Sequence, residues 1–347
     1  RFRDIPLTYV LTDYSWTTRQ FWKQQKQLQP WVEAGRLDFA KFDAETDETL
    51  DLENRSETLA AETLKNPLVL IANYFFDGLT QDVFKIENGK IQESRVTLTV
   101  PGANPNLNDP YIIEQISIKF QQYPTTIADY YDDADFNTLL EMYQSTLTET
   151  NLLFPIGSLG CLKRLRHLSN GRLLLLTSDK GYHHESELIN RDEPKITLHG
   201  SFSMKTNYHA LGKYIELCGG QFLTTPFYHN YIDSCVALLG QHPENYPETR
   251  QSYRYEIIYN NPDDFQTVKS AIDQQDEAFD VVQFLAFLRL CGWESKVFLE
   301  YFPILSQNID TFTPNIRKSL YQAILQSWEM YYHIGEEEDL PFAIGRL

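Results

Sequence analysis

The 347-residue sequence predicts an α/β fold built on a parallel sheet, followed by an all-α extension. Two observations carry this. Short apolar runs that end in acidic or turn-forming residues alternate with segments of helical spacing through the first 260 residues. Beyond Asn261-Pro262 only helical spacing remains. The expected division is therefore an α/β domain over 1–260, with an insert around 101–150, and a helical domain over 261–347.

The first three runs are Pro6 to Asp13, Gly35 to Asp43 and Pro67 to Asp77, and each reads as a buried parallel strand. Between the first two, Phe21, Leu28, Trp31 and Val32 recur at helical spacing. Ser56 to Leu64 reads as a second helix, so β-α-β-α-β in one sheet is expected. Asn88-Gly89 lies between two alternating runs and predicts a hairpin. A helix over Ile156 to Leu168 then leads to a fourth buried run, Gly171 to Gly181. A helix over Asn207 to Cys218 stops at Gly219-Gly220, and the runs around Val236 and from Tyr253 to Tyr259 read as closing antiparallel strands. The extension reads as helices over 265–274, 279–291 and 295–307, then one from the Thr313-Pro314 cap through Tyr332. The tail from Asp339 begins a further amphipathic turn, as the start of a helical repeat array would.

Composition excludes several function classes. A formal charge of −18 without a basic stripe argues against nucleic acid as a partner. No apolar run approaches the roughly 20 residues that cross a bilayer, so a membrane span is not expected. Four dispersed cysteines without a C-x-x-C pair fit a reducing, cytoplasmic compartment. His183-His184, His199 and His209 lack metal-ligand spacing, so no metal is expected. The sequence opens at Arg1 almost directly on a strand, which makes an upstream portion an expectation.

The run from Val69 to Glu93 carries a resemblance. Ala72, Asn73, Phe75, Phe76, Asp77 and Leu79 match a strand end A-N-E-F-F-D-A-L-P that is followed by a hairpin with a glycine turn. Asp13 and Asp43 follow the two earlier strands, Ser178 to Gly181 stands at a D-Y-G position, and the segment from Thr206 matches a V-D-F-x-x-L helix opening. In these features the sequence resembles the MidA-like methyltransferases over roughly residues 5 to 240. The family includes a mitochondrial complex I assembly factor. Two acidic family positions differ, with Tyr74 and Asn207 in their place. The family's first strand and its glycine loop would precede residue 1.

The resemblance implies a Rossmann-like class I methyltransferase sheet, incomplete at its amino end, with S-adenosylmethionine as cofactor and a protein side chain as methyl acceptor. On it, Asp13 would accept the ribose hydroxyls and Asp43 the adenine amine, while Ala44 leaves room for the ring. Asn73 and Asp77 would stand where cofactor and acceptor meet, and the carboxyl-terminal helices would grip a protein partner. The plain alternatives are that Asp13 starts a helix cap and that Asp43 and Asp77 are turn residues. A rival function is a methyltransferase-fold scaffold without chemistry. An oxidoreductase on a similar sheet is a third.

Overall fold

The computed structural model describes residues 5–102, 105, 106, 109, 111–198, 202–229, 232–274 and 280–329. The chain divides into two compact units, 1–261 and 262–347.

The first unit opens with β1 (Tyr9–Thr12), α1 (Trp16–Gln24), α2 (Gln29–Glu33) and β2 (Leu37–Ala40). β1 and β2 pair in parallel, as a β-α-β unit requires. The connection is two helices where one was expected. Pro30 lies in the first turn of α2, and α1 has ended by Gln25, whose backbone is extended. The helix expected over Ser56 to Leu64 does not form. β3 (Leu50–Leu52) and β4 (Glu57–Leu59) make an antiparallel hairpin there. Ser56 adopts a left-handed φ of 52°, which interrupts a helix, and the Thr58 hydroxyl donates to Asp51 Oδ1 across the hairpin at 2.6 Å.

β5 (Leu68–Asn73) continues into β6 (Asp82–Glu87), β7 (Lys90–Thr99), β8 (Ser117–Pro124), α3 (Ala134–Thr146) and β9 (Glu149–Phe154). Asn88 and Gly89 both take positive φ and close the β6–β7 hairpin. These strands form an antiparallel sheet in the order β8-β7-β6-β9, so the insert is a folded layer. α4 (Ile156–Leu168), β10 (Leu173–Asp179), β11 (Gly181–Tyr182), β12 (Thr197–Leu198), β13 (Phe202–Ser203), β14 (Thr206–Asn207), α5 (Tyr208–Leu217), β15 (Gln221–Leu223), β16 (Asp233–Leu239) and α6 (Pro247–Tyr253) complete the unit.

The expected single parallel sheet is divided. β5 pairs in parallel with β10, and the order β15-β16-β10-β5 places β16 antiparallel between two neighbours. Among the described residues no ladder joins β1 to β5, so each keeps one free edge. Both pairs nevertheless rest on one helix. Val10, Leu68 and Leu70 pack with Cys161, Leu165 and Leu168 of α4, while Leu159 and Leu162 of α4 enter the main core with Leu175, Tyr208 and Leu211. On the opposite face of β5, Val69 and Ile71 remain 51% and 49% exposed.

The strand expected over Tyr253 to Tyr259 is helical. Pro247 and Glu248 start α6, and the chain continues as a π-helical turn over Arg254–Ile258. Tyr253, Ile257 and Ile258 then pack on Val236 and Leu238, covering that face of β16.

The second unit comprises α7 (Pro262–Asp273), α8 (Val281–Leu290), α9 (Ser295–Asn308) and α10 (Pro314–Glu329). Phe284, Leu288, Phe298, Leu305, Leu320 and Ile324 form its core. Among the described residues no helix is long and apolar enough to cross a membrane. The end of the helix expected through Tyr332 and the tail from Asp339 lie outside the described residues, as does His199.

Asn207 occupies a place that suits an amide better than a carboxylate. It is fully buried, and its Oδ1 accepts the Ala210 N–H at 3.0 Å, which caps α5. Its Nδ2 donates to the Leu153 carbonyl of β9 at 2.8 Å. A carboxylate could keep the cap but would turn an acceptor toward that carbonyl. Asn207→Asp is therefore expected to lower the unfolding free energy by about 2 kcal/mol, the cost of a buried polar mismatch. Urea denaturation at neutral pH checks this, and an unchanged midpoint with an unchanged slope would refute it.

Candidate functional site

The carboxyl ends of β1, β2 and β5 surround a cavity of about 440 Å³. β1 contributes Thr12 and the following Asp13 and Tyr14. The turn after β2 contributes Phe42, Asp43, Ala44 and Glu45. The turn after β5 contributes Tyr74, Phe75, Gly78 and Leu79. Ligands of α/β sheets occupy this end, so the placement is chemically meaningful.

Each wall has a local cause. Asp13 Oδ1 accepts the Ser15 N–H at 2.7 Å, and Ser15 in turn caps α1 through Thr18. Buried Arg19 reaches back to the carbonyls of Asp13 and Tyr14 at 2.7 and 3.0 Å and pairs with Glu53 at 2.7 Å, fixing the end of β1. Asp43 Oδ1 accepts the Glu45 N–H at 3.0 Å in a similar turn. Both aspartates thus have turn roles and also face the cavity, and each has a second carboxylate oxygen outside that turn bond.

Glu45 ties two walls together. Its carboxylate accepts the Thr80 N–H at 2.7 Å and the Thr80 hydroxyl at 3.0 Å. Gly157, near the start of α4, is required beneath this tie, because a Cβ there would lie 2.8 Å from Glu45 Oε1 and 2.9 Å from Thr80 N. Arg164 of α4 donates to the Ala44 carbonyl.

The expected residues do not all meet. Asp13, Asp43 and Ala44 share this cavity. Asp77 faces a second one of about 510 Å³, with Asn151, Lys180, Arg191 and Lys205 among its walls. Asn73 is exposed at the end of β5 and lines neither. The three aspartates are therefore shared between two cavities, with residues of the 74–79 turn in the walls of both. A third cavity, about 880 Å³, lies at the opposite end of the sheet beside Pro67, Gly171 and Leu239.

Tyr74 is 62% exposed, with a left-handed φ of 49°. Phe76 anchors the same turn and is fully buried. Among the described residues no three metal-ligating side chains gather, and the four cysteines are free. Burial pushes the Cys161 thiol up to about 12, which leaves it an inert core group.

Sequence spacing did not reveal a buried polar cluster beside β10. Asp179, at the end of β10, is fully buried and directly opposite Asp233 of β16. His183 Nδ1 lies 2.8 Å from Asp233 Oδ1, and its Nε2 lies 2.8 Å from the Thr225 carbonyl. These partners are distant in sequence, so no local motif announces them.

The sequence matches no family model and no curated protein. Among solved structures it is similar to a candidate methyl transferase from Burkholderia thailandensis bound to S-adenosyl-homocysteine, at a TM-score of 0.37 and 11% identity. The match covers 63% of this chain and 51% of that one, so the chain spans about half the length of that structure.

Titration of the buried cluster sets a pH dependence. Burial disfavours the charged form of His183, but its hydrogen bond and attraction to Asp233 and its bond to Thr225 outweigh this and raise its pKa above 6.5. Burial, then repulsion from Asp77, raises the Asp179 carboxyl to about 6 against bonds from backbone N–H groups. A pKa raised on folding gives stability at low pH that is lost as pH climbs from the unfolded to the folded value. Asp179 thus contributes a decline between 3.8 and about 6, and His183 one that begins near 6.5. Urea midpoints measured across pH should show that His183→Gln removes the upper decline and keeps the lower. An upper decline that survives the substitution would show that another group causes it.

Proposed function

We propose that the first unit is a methyltransferase-type domain on a Rossmann-like class I sheet, and that the cavity at the ends of β1, β2 and β5 receives the adenosine part of S-adenosylmethionine. The observation that carries this is the convergence of Asp13, Asp43-Ala44 and Tyr74-Phe75 on that one cavity. The strand order also supports it. In such a sheet one further strand stands between the strands equivalent to β1 and β5, and both show a free edge here.

The residues present fit adenosine. Asp13 offers a carboxylate at the first strand end, where ribose hydroxyls can donate to it. Asp43 offers a second for the exocyclic amine. Buried Ala44 and the rings of Phe42 and Phe75 supply apolar walls for the base. For the methionine part this sequence contains no G-x-G-x-G run. When bound, the cofactor supplies a methyl group on a positively charged sulfur. The protein's task is then to hold and orient the acceptor rather than to form a covalent intermediate.

On this reading the acceptor enters from the second cavity, where Asp77 orients a cationic or amide group by a charge-assisted hydrogen bond. Asn73, exposed at the same strand end, contributes an amide to the approaching acceptor. A protein side chain is the proposed acceptor class, with α7 to α10 as the surface that holds the partner and the cytoplasm as the location. Tyr74 and Asn207, at the two positions where the resembled family is acidic, favour the second reading, a scaffold that keeps the fold without the chemistry.

Titration calorimetry of the full chain with S-adenosylhomocysteine separates the two. Binding is expected, and Asp13→Ala and Asp43→Ala should each weaken it by about tenfold or more, as loss of a hydrogen bond to a charged group does. No heat from the unaltered protein would favour the scaffold. Binding indifferent to both substitutions would move the nucleoside elsewhere.

A further inference from the structure

We propose that Asp179 is a positioning residue, a buried carboxylate that clamps the 74–79 turn and so presents Tyr74 and Phe75 to one cavity and Asp77 to the other. Its consequence for ligand binding rests on the nucleoside reading of the first cavity; the clamp itself does not.

The turn needs holding. Tyr74 begins it in the left-handed region, which costs a non-glycine residue on the order of 1 kcal/mol, with its ring largely in solvent. Main-chain bonds hold the turn's two ends, Tyr74 N–H to the Ser178 carbonyl at 2.9 Å and Met204 N–H to the Asp77 carbonyl at 3.1 Å. Asp179 reaches between them. Its Oδ2 accepts the Asp77 N–H at 3.1 Å, and its Oδ1 accepts the Lys180 N–H at 2.8 Å. One carboxylate thus joins the end of β10 to the turn after β5, 102 residues earlier.

Its surroundings make that role costly to maintain. Asp179 is fully buried and makes no salt bridge among the described residues. The charged or titratable groups around it are Asp77 on the turn, Lys180 beside it, Asp233 opposite on β16 with His183 bonded to it, and Tyr208 of α5. Lys180 is exposed and lines the second cavity, so the immediate neighbours are mainly acidic. Asparagine would pack as well without the charge, but its single acceptor oxygen could serve only one of the two N–H groups. The carboxylate is the group that serves both.

The test compares the full chain with Asp179→Asn by hydrogen–deuterium exchange and by calorimetry with S-adenosylhomocysteine. Exchange over 73–80 should quicken by about tenfold at pH 7 in the variant, while α5 stays protected. The variant should bind S-adenosylhomocysteine about tenfold more weakly. Binding by the unaltered protein should weaken as pH falls through about 6, and the variant should lack that dependence. A variant with unchanged 73–80 protection and the original pH profile would overturn the proposal. If the unaltered protein binds no S-adenosylhomocysteine, the nucleoside reading fails, and exchange over 73–80 still decides the clamp. If the variant loses α5 protection, the unaltered protein decides alone: 73–80 exchange, corrected for intrinsic rate, must rise between pH 7 and pH 5, and a constant value overturns the clamp.

Discussion

The turn after β5 has to leave the sheet with Phe76 driven into the core and Tyr74 turned out, and the arrangement of both cavities follows from that demand. Phe76 is fully buried among the residues of the main core. Given that anchor, the neighbouring residues have little choice. Phe75 packs against the main core and against the cluster that α4 forms with β2, and it borders the first cavity, while Asp77 comes out beside the second. A turn so placed divides one strand-end crevice into two compartments without any extra domain.

Helix α4 supplies the mechanical base for this division. Two of its faces are apolar, one toward the β5-β10 sheet and the other toward β1 and β2, so two parallel strand pairs that share no ladder are held on one support. The same helix meets the ligand-facing loops near its amino end, where Gly157 admits the Glu45–Thr80 tie. Packing energy of about 2 kcal/mol for each buried leucine thus stabilises the scaffold on which the polar groups are arranged.

The polar groups near the cavities fall into two kinds. Asp13 and Asp43 use one oxygen for a turn and keep the other outside that bond, which lets one residue serve local structure and recognition together. Asp179, Asp233 and His183 are withdrawn from solvent and bonded to one another's strands and loops, so their protonation is coupled to the fold. The half-buried pair at the cavity wall is suited to meeting a ligand. The buried set is suited to holding the walls in place.

Much of this was legible along the chain. The apolar runs that became β1, β2, β5 and β10, the Asn88-Gly89 hairpin and the α4 and α5 helices are local matters, because periodicity and turn chemistry act over a few residues. Asp13, Asp43 and Ala44 could be singled out because strand ends are the places where parallel sheets expose ligand-facing groups. Local pattern misled where competing conformations lay close together, as at the β3–β4 hairpin, read as a helix, and at Arg254–Ile258, read as a strand. Only the tertiary structure decided that Asp77 belongs to a different cavity from the other two aspartates, that Asn207 bridges α5 to β9, and that Asp179 is buried beneath the turn. Those outcomes depend on partners 50 or more residues away. Contacts of that range arise when sheets and helices pack, and no periodicity within a segment encodes them.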